Sequence, residues 1–259
     1  DGLKSGDRVF VKPNVVFWTR FVPFPKWGVI TTSRVIEDVV RLLKDKGAGE
    51  IVIVDAGVTP QLAREKELDG YVNPVEVLSR MNINADEVRH VVVTHMHFDH
   101  AGGVSLFPRA TFYIQEDEYR FWLGDPVAGR PPFKYVSDPA SNAYLASVEG
   151  TDRLVLLKGD QQILPGIQGL LSPGHTVALQ TVAVHTDRGT AILGSDCAHV
   201  FRNYTEDWPS CLIVDLVGWM KTYDKLRERV SSPDLLFPGH DRLLLENYQE
   251  VAKDITRLV

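Results

Sequence analysis

Residues 94–103 read Thr94-His95-Met96-His97-Phe98-Asp99-His100-Ala101-Gly102-Gly103 and follow directly on the apolar run Glu87–Val93 (EVRHVVV). Four side chains that can ligate a metal fall within six residues. In an extended segment side chains alternate, so His95 and His97 point the same way and can share one cation. Asp99 and His100 are neighbours and point apart unless the chain turns. Ala101, Gly102 and Gly103 permit that turn and let a helix begin close by. One loop thus predicts two cation positions.

A single loop cannot complete two ions of four or five coordination, so further ligands are expected at other strand ends. Three qualify. His175 stands in Ser172-Pro173-Gly174-His175-Thr176 after a strand, Asp196 follows the apolar run Ala191–Gly194, and His240 follows Leu235-Leu236-Phe237-Pro238-Gly239. With His95, His97 and His100, these assign five of the eight histidines to one site. His90 and His185 lack such a context and are expected to be structural or solvent-facing. Cys197, beside Asp196, is expected to be a small buried residue and not a nucleophile.

Outward from this loop the chain alternates strands and helices. Asp7–Lys12 and Glu50–Asp55 read as strands flanking a helix that opens at Thr32 or Ser33 and closes at Lys46-Gly47, a β-α-β unit. Between them Phe17–Trp27 (FWTRFVPFPKW) interleaves five aromatics with two prolines and suits an irregular loop. Asn73–Met81 predicts a helix capped by Asn73 with Pro74 at its first position. Ala110–Ile114 predicts a strand and Gln115–Trp122 a helix, with a lid, binding loop or small helical insertion over 124–150. Apolar runs at Leu154–Leu157, Ile167–Leu171, Leu179–His185 and Thr190–Leu193 predict antiparallel sheet, and Val214–Val230, Leu235–Phe237 and Leu243–Leu258 a final helix, strand and helix.

The order His95-x-His97-x-Asp99-His100, His175, Asp196, His240 resembles the metallo-β-lactamase superfamily over roughly residues 51–259, including Val54-Asp55-Ala56-Gly57. The resemblance implies an α/β fold, the αβ/βα sandwich with a dimetal site at the sheet edge. It implies His95, His97 and His175 on one ion, Asp99, His100 and His240 on the other, and Asp196 bridging. Asp86-Glu87-Val88, Ser172-Pro173-Gly174-His175 and Phe237-Pro238-Gly239-His240-Asp241 are most similar to the N-acyl-homoserine lactonase branch, which includes other small-lactone hydrolases. That branch often carries a tyrosine three residues after the bridging Asp, where it holds the substrate carbonyl; here the residue is His199. His199 either replaces the phenol as donor or acid or is a neutral supporting residue, and Tyr204 is a second candidate for the missing hydroxyl. Residues 1–50 do not resemble that family's opening strands. Lys12-Pro13-Asn14, Gly28–Ser33 and Leu42-Leu43-Lys44 through Asp55 resemble instead the start of an uncharacterised iron-sulfur-associated family, without its cysteines, so a boundary between a grafted segment and the hydrolase domain is expected near 50–57.

The function implied is opening of a lactone ester, of an acyl-homoserine lactone or another small lactone, by attack of a metal-bridging hydroxide. Asp99 or His199 would manage the proton of the leaving alkoxide. Zinc is the default metal, and the all-imidazole and carboxylate set also suits manganese, iron or cobalt. Alternatives are a thioester, β-lactam or phosphotriester as substrate, a flavodiiron-like electron-transfer partner, which would favour a carboxylate at His97, and a non-catalytic module of the same fold. Composition narrows the classes further. With 259 residues, 44% apolar and net charge −6, the chain is long enough for a sizeable core and offers no general phosphate-binding surface, so nucleic acid is not an expected partner. No apolar run nears the ~18 residues of a membrane span. Two cysteines, Cys197 and Cys211, fit a reducing cytoplasm. A homodimer is compatible with the sequence, and the start at Asp1 is compatible with a trimmed leader.

Overall fold

A computed structural model describes residues 8–11, 50–80, 83–252 and 255–259. Two five-stranded sheets form its centre. The first has the order β1 (Arg8–Val11), β2 (Glu50–Val54), β3 (His90–Val92), β4 (Thr111–Gln115), β5 (Leu154–Leu157), and every neighbouring pair is parallel. The second runs β10 (Leu236–Pro238), β9 (Gly189–Ser195), β8 (Gln180–Thr186), β7 (Ile167–Leu171), β6 (Gln161–Leu164). It is antiparallel except where β10 lies parallel to β9.

The near-continuous apolar strands of the first sheet are what burial on both faces requires. Val52, Val54, Val92, Tyr113 and Leu157 point into a core shared with Ile167, Val182, Ala191, Leu193 and Phe237 of the other sheet. Their neighbours Ile53, Val91, Phe112 and Ile114 point the opposite way, into a core with Tyr119, Trp122 and Leu145 of the helices α4 (Glu116–Gly124) and α6 (Pro139–Ser147). On the far side of the second sheet Leu170, Ala183, Ile192 and Leu236 meet Trp219, Tyr223 and Leu226 of α8 (Leu216–Arg229). Three apolar layers between helix, sheet, sheet and helix make the αβ/βα sandwich that the sequence implied. The remaining helices are α1 (Pro60–Glu65), α2 (Pro74–Arg80), α3 (Phe98–Ala101), α5 (Pro131–Val136), α7 (Phe201–Thr205) and α9 (Leu243–Asn247).

Several expectations need correction. Leu154–Leu157 does not join the antiparallel series but returns as β5, parallel to β4, because the helical insertion over 126–147 forms a crossover that restores the strand direction. The single helix expected over Leu243–Leu258 stops at Asn247. It is followed by the antiparallel pair β11 (Gln249–Ala252) and β12 (Ile255–Arg257), in keeping with the β-branched residues Val251, Ile255 and Thr256. Strand β3 is shorter than expected because Ala85–Glu87 winds into a 3-10 turn capped by the Asn84 side chain. The aromatic stretch 17–27 and the helix expected from Thr32 or Ser33 lie outside the described residues, whereas β1 adds an edge to the first sheet. No helix among the described residues is long and apolar enough to cross a membrane.

Candidate metal centre

The two sheets meet where β2, β3 and β9 end. Val54 is followed by Asp55 with φ +64°, and β9 ends at Ser195 with φ +47°, both left-handed and neither glycine. Such backbone costs on the order of 1–3 kcal/mol and persists where surrounding contacts over-determine it. Here those contacts are shared. Asp55 accepts from Thr94 N (2.8 Å), Thr94 Oγ1 (3.0 Å) and Ser195 Oγ (3.3 Å), and Thr94 Oγ1 lies 2.8 Å from Ser195 Oγ. Gln180 closes the seam, with its main-chain N–H donating to Thr94 O and its side chain to Val93 O and Tyr113 O. The loop after β3 is pulled tight: Gly103 N donates to Gly57 O (2.7 Å), and a Cβ on Gly103 would collide with the carbonyl of Ala56.

All seven residues expected as ligands converge at this seam. One atom each of His95, His97 and His175 lie within 4.8 Å of one another, and so do those of Asp99, His100 and His240. Asp196 stands between the trios. Its Oδ2 faces His175 Nε2 (3.4 Å) and His95 Nε2 (3.9 Å), while its Oδ1 faces His240 Nε2 (2.6 Å) and His100 Nε2 (3.1 Å). The remaining ring nitrogens set the tautomers. His100 Nδ1 pairs with Asp55 Oδ2 at 2.7 Å, His175 Nδ1 with Leu212 O at 3.0 Å, and His95 Nδ1 with Thr94 Oγ1 at 3.1 Å. Each leaves Nε2 turned inward.

Charge and burial fit a cation pair. His95 Nε2 is buried without a hydrogen-bond partner, and an unsatisfied buried polar atom costs about 1–3 kcal/mol. A bound cation would satisfy it. Burial, helped by neighbouring imidazoles, holds His95 and His175 well below the ordinary histidine pKa, brings His97 to about 4 and lowers His240. These rings are neutral at pH 7, as ligation demands. His100 goes the other way: burial lowers it, but Asp196, Asp99 and Asp55 together hold it well above its ordinary value. Burial opposes ionisation of Asp196, and the facing His199, His240 and His100 outweigh it, keeping the carboxylate well below its ordinary range.

His199 also reaches the site, with Nε2 3.0 Å from Asp196 Oδ2 and its side chain 22% exposed, at the solvent edge of the cluster. Tyr204 does not. It is buried on the outer face of the second sheet, its ring edge-on to Tyr223 and beneath the Arg227 guanidinium. The hydroxyl role expected for Tyr204 does not fit this placement, since α7 turns its ring towards α8. Cys197 is buried, its thiol pushed up to about 12 by burial, which agrees with an inert residue. His90 Nδ1 pairs with Tyr113 OH (2.9 Å), away from the centre, and His185 is exposed. Asp55 and Glu118 were not singled out by their chemistry in the sequence. Asp55 carried a signal, the Asp-x-Gly at a strand end, and Glu118 carried none beyond its place in the first turn of a helix.

The profile of the metallo-beta-lactamase superfamily matches residues 39–240. This chain belongs to that superfamily. Among curated relatives, an N-acyl homoserine lactonase of Bacillus thuringiensis is 21% identical over 230 residues, 88% of this chain and 82% of its own length. The N-acyl homoserine lactonase AiiB of Agrobacterium fabrum is 27% identical over 175 residues, 66% of this chain and 63% of its own. A solved quorum-quenching N-acyl homoserine lactone lactonase superposes with a TM-score of 0.62 at 24% identity, covering 76% of this chain and 78% of that one. AidC, described as a dizinc quorum-quenching lactonase, gives 0.60 at 18% identity and covers 78% of each chain. These likenesses agree with the fold, and with the resemblance carried by the histidine motif.

Proposed function

We propose that this superfamily member is a dimetal hydrolase that opens the ester of a lactone, of the acyl-homoserine class or another small lactone. One observation carries the reading: two three-residue ligand sets lie on either side of a single carboxylate, in a chain whose relatives are N-acyl homoserine lactonases. His95, His97 and His175 would hold one divalent cation, Asp99, His100 and His240 the other, with Asp196 shared and zinc the default. When bound, such a pair lowers the pKa of a water towards ~7 and polarises the ester carbonyl as a Lewis acid.

The chain's own side chains supply the rest. Asp196 holds the trios in register, because each of its oxygens faces one of them. His199, at the solvent edge and 3.0 Å from Asp196, is placed to donate from a ring nitrogen to the carbonyl oxygen as negative charge builds there. Asp99, whose side chain is 13% exposed, is the ligand carboxylate most open to solvent. It can take the proton of the attacking water and return it to the ring oxygen when the acyl C–O bond breaks. The product is an open-chain hydroxy acid that ionises at pH 7, so each turnover releases one proton. The boundary near residues 50–57 belongs to this proposal, with β1 lending an edge strand to the hydrolase sheet.

Proton release from a lactone panel, followed with a pH indicator and set against thiol release from glutathione thioesters, tests the reading. Lactone-dependent acidification by protein carrying two cations is the expected result. Thiol release without acidification from any lactone would move the substrate class to thioesters, and no turnover of any ester by the loaded protein would overturn the enzymatic reading.

A further inference from the structure

The two trios are anchored differently. Asp55 touches a ligand directly, through His100 Nδ1. The His95/His97/His175 trio has no carboxylate of that kind among its hydrogen bonds, yet a second fully buried carboxylate lies behind it. Glu118, 0% exposed on α4, accepts four hydrogen bonds. Oε1 takes Met96 N (3.1 Å) and Trp122 Nε1 (2.7 Å), and Oε2 takes Thr176 Oγ1 (2.7 Å) and Ala178 N (3.0 Å). Met96 is the residue between His95 and His97, and Thr176 follows His175. The indole held by Glu118 stands edge-on to His97, with ring centroids 5.5 Å apart.

We infer that Glu118 is a positioning residue that fixes the loop bearing His95 and His97 against the loop bearing His175, and so sets the affinity of that one cation position. This rests on the dimetal reading. The physical ground is that two loops from different sheets, 78 residues apart at His97 and His175, share one rigid acceptor whose four lone-pair sites are all used. Burial raises the pKa of the carboxyl, and the hydrogen bonds from Thr176, Trp122, Met96 and Ala178 oppose that rise. No bond of Glu118 runs to Asp99, His100 or His240, so the second position should be indifferent to it.

Glu118→Gln keeps the shape and replaces one acceptor oxygen by an amide NH2, which leaves at least one main-chain N–H facing a donor. Metal-free protein titrated with cadmium-113 should show two NMR resonances, assigned by loss of one in His97→Ala and of the other in His240→Ala. In Glu118→Gln we expect affinity at the His97-dependent resonance to fall 10- to 100-fold, the usual range when an outer hydrogen-bond partner of a metal site is lost. Affinity at the His240-dependent resonance should stay at its wild-type value. Leu145→Ala, a buried truncation in the helix-side core, controls for general destabilisation: it should lower the melting temperature and leave both affinities unchanged. If Glu118→Gln does not fold, Glu118→Asp, with the carboxyl kept and the reach shortened, is read in the same way. Equal losses at both positions, or none at either, would overturn the assignment. A wild-type protein that binds no cadmium would overturn the dimetal reading itself.

Discussion

Replacing Asp55 by asparagine should cripple one cation position while sparing the backbone. Asparagine tolerates the left-handed φ of +64° that Asp55 adopts, so the strand end need not move. What changes is the oxygen at His100. With the amide oxygen kept on Thr94 N, the new NH2 faces His100 Nδ1, Thr94 Oγ1 and Ser195 Oγ, all of which now point at the Asp55 Oδ2 atom. His100 can meet that NH2 only by accepting at Nδ1, which places its proton on Nε2, the atom turned towards Asp99, Asp196 and the cation position. The imidazole is then in the wrong tautomer for ligation, and losses of 10- to 100-fold in metal affinity, about 1.4–2.7 kcal/mol, follow for an outer partner of this type. Chelator competition read against wild type, together with proton release from a lactone, measures both consequences. Occupancy of the Asp99/His100/His240 position should fall first, and turnover with it. Wild-type affinity for two cations in Asp55→Asn would refute the tautomer reasoning.

Other outcomes follow from the same geometry. His97→Ala and Asp196→Ala should abolish turnover and lower metal content by elemental analysis, whereas His185→Ala, an exposed residue, should do neither. His199→Phe should reduce kcat while leaving metal content intact, and Tyr204→Phe should leave kinetics near wild type, since its ring faces α8. Metal-free protein should lose stability between pH 6.5 and 4. His97 titrates at about 4 when folded against 6.5 when unfolded, so the unfolded chain binds more protons in that window, worth about 3 kcal/mol for this residue alone. His95, His175 and His240 act in the same direction and His100 in the opposite one, so urea unfolding should give a smaller free energy at pH 5 than at pH 7. Equal or greater stability at pH 5 would contradict it.

The ligand loop was legible because its chemistry is local: four ligand-type residues in six positions after an apolar run, and isolated ligand residues at three further strand ends. The apolar runs at Glu50–Asp55, Glu87–Val93 and Ala110–Ile114 likewise marked β2, β3 and β4 as strands. Partner strands were less legible. Nothing local distinguishes Leu154–Leu157 from the antiparallel strands after it, since its direction is set by the helical crossover. The apolar spacing over Leu243–Leu258 suited a helix while the β-branched Val251, Ile255 and Thr256 suited the hairpin that forms. Glu118 was invisible because a glutamate in the first turn of a helix ordinarily faces solvent, and only the approach of the Met96 and Thr176 loops buries it. Tyr204 was misplaced for the complementary reason: proximity in sequence to Asp196 says little about which way a short helix turns.

Anomalous diffraction from crystals grown with zinc, recorded on both sides of its absorption edge, tests the central claim most directly. Two peaks are predicted, one bounded by His95, His97 and His175, the other by Asp99, His100 and His240, with the Asp196 carboxylate between them. A single peak, or peaks remote from these side chains, would contradict it.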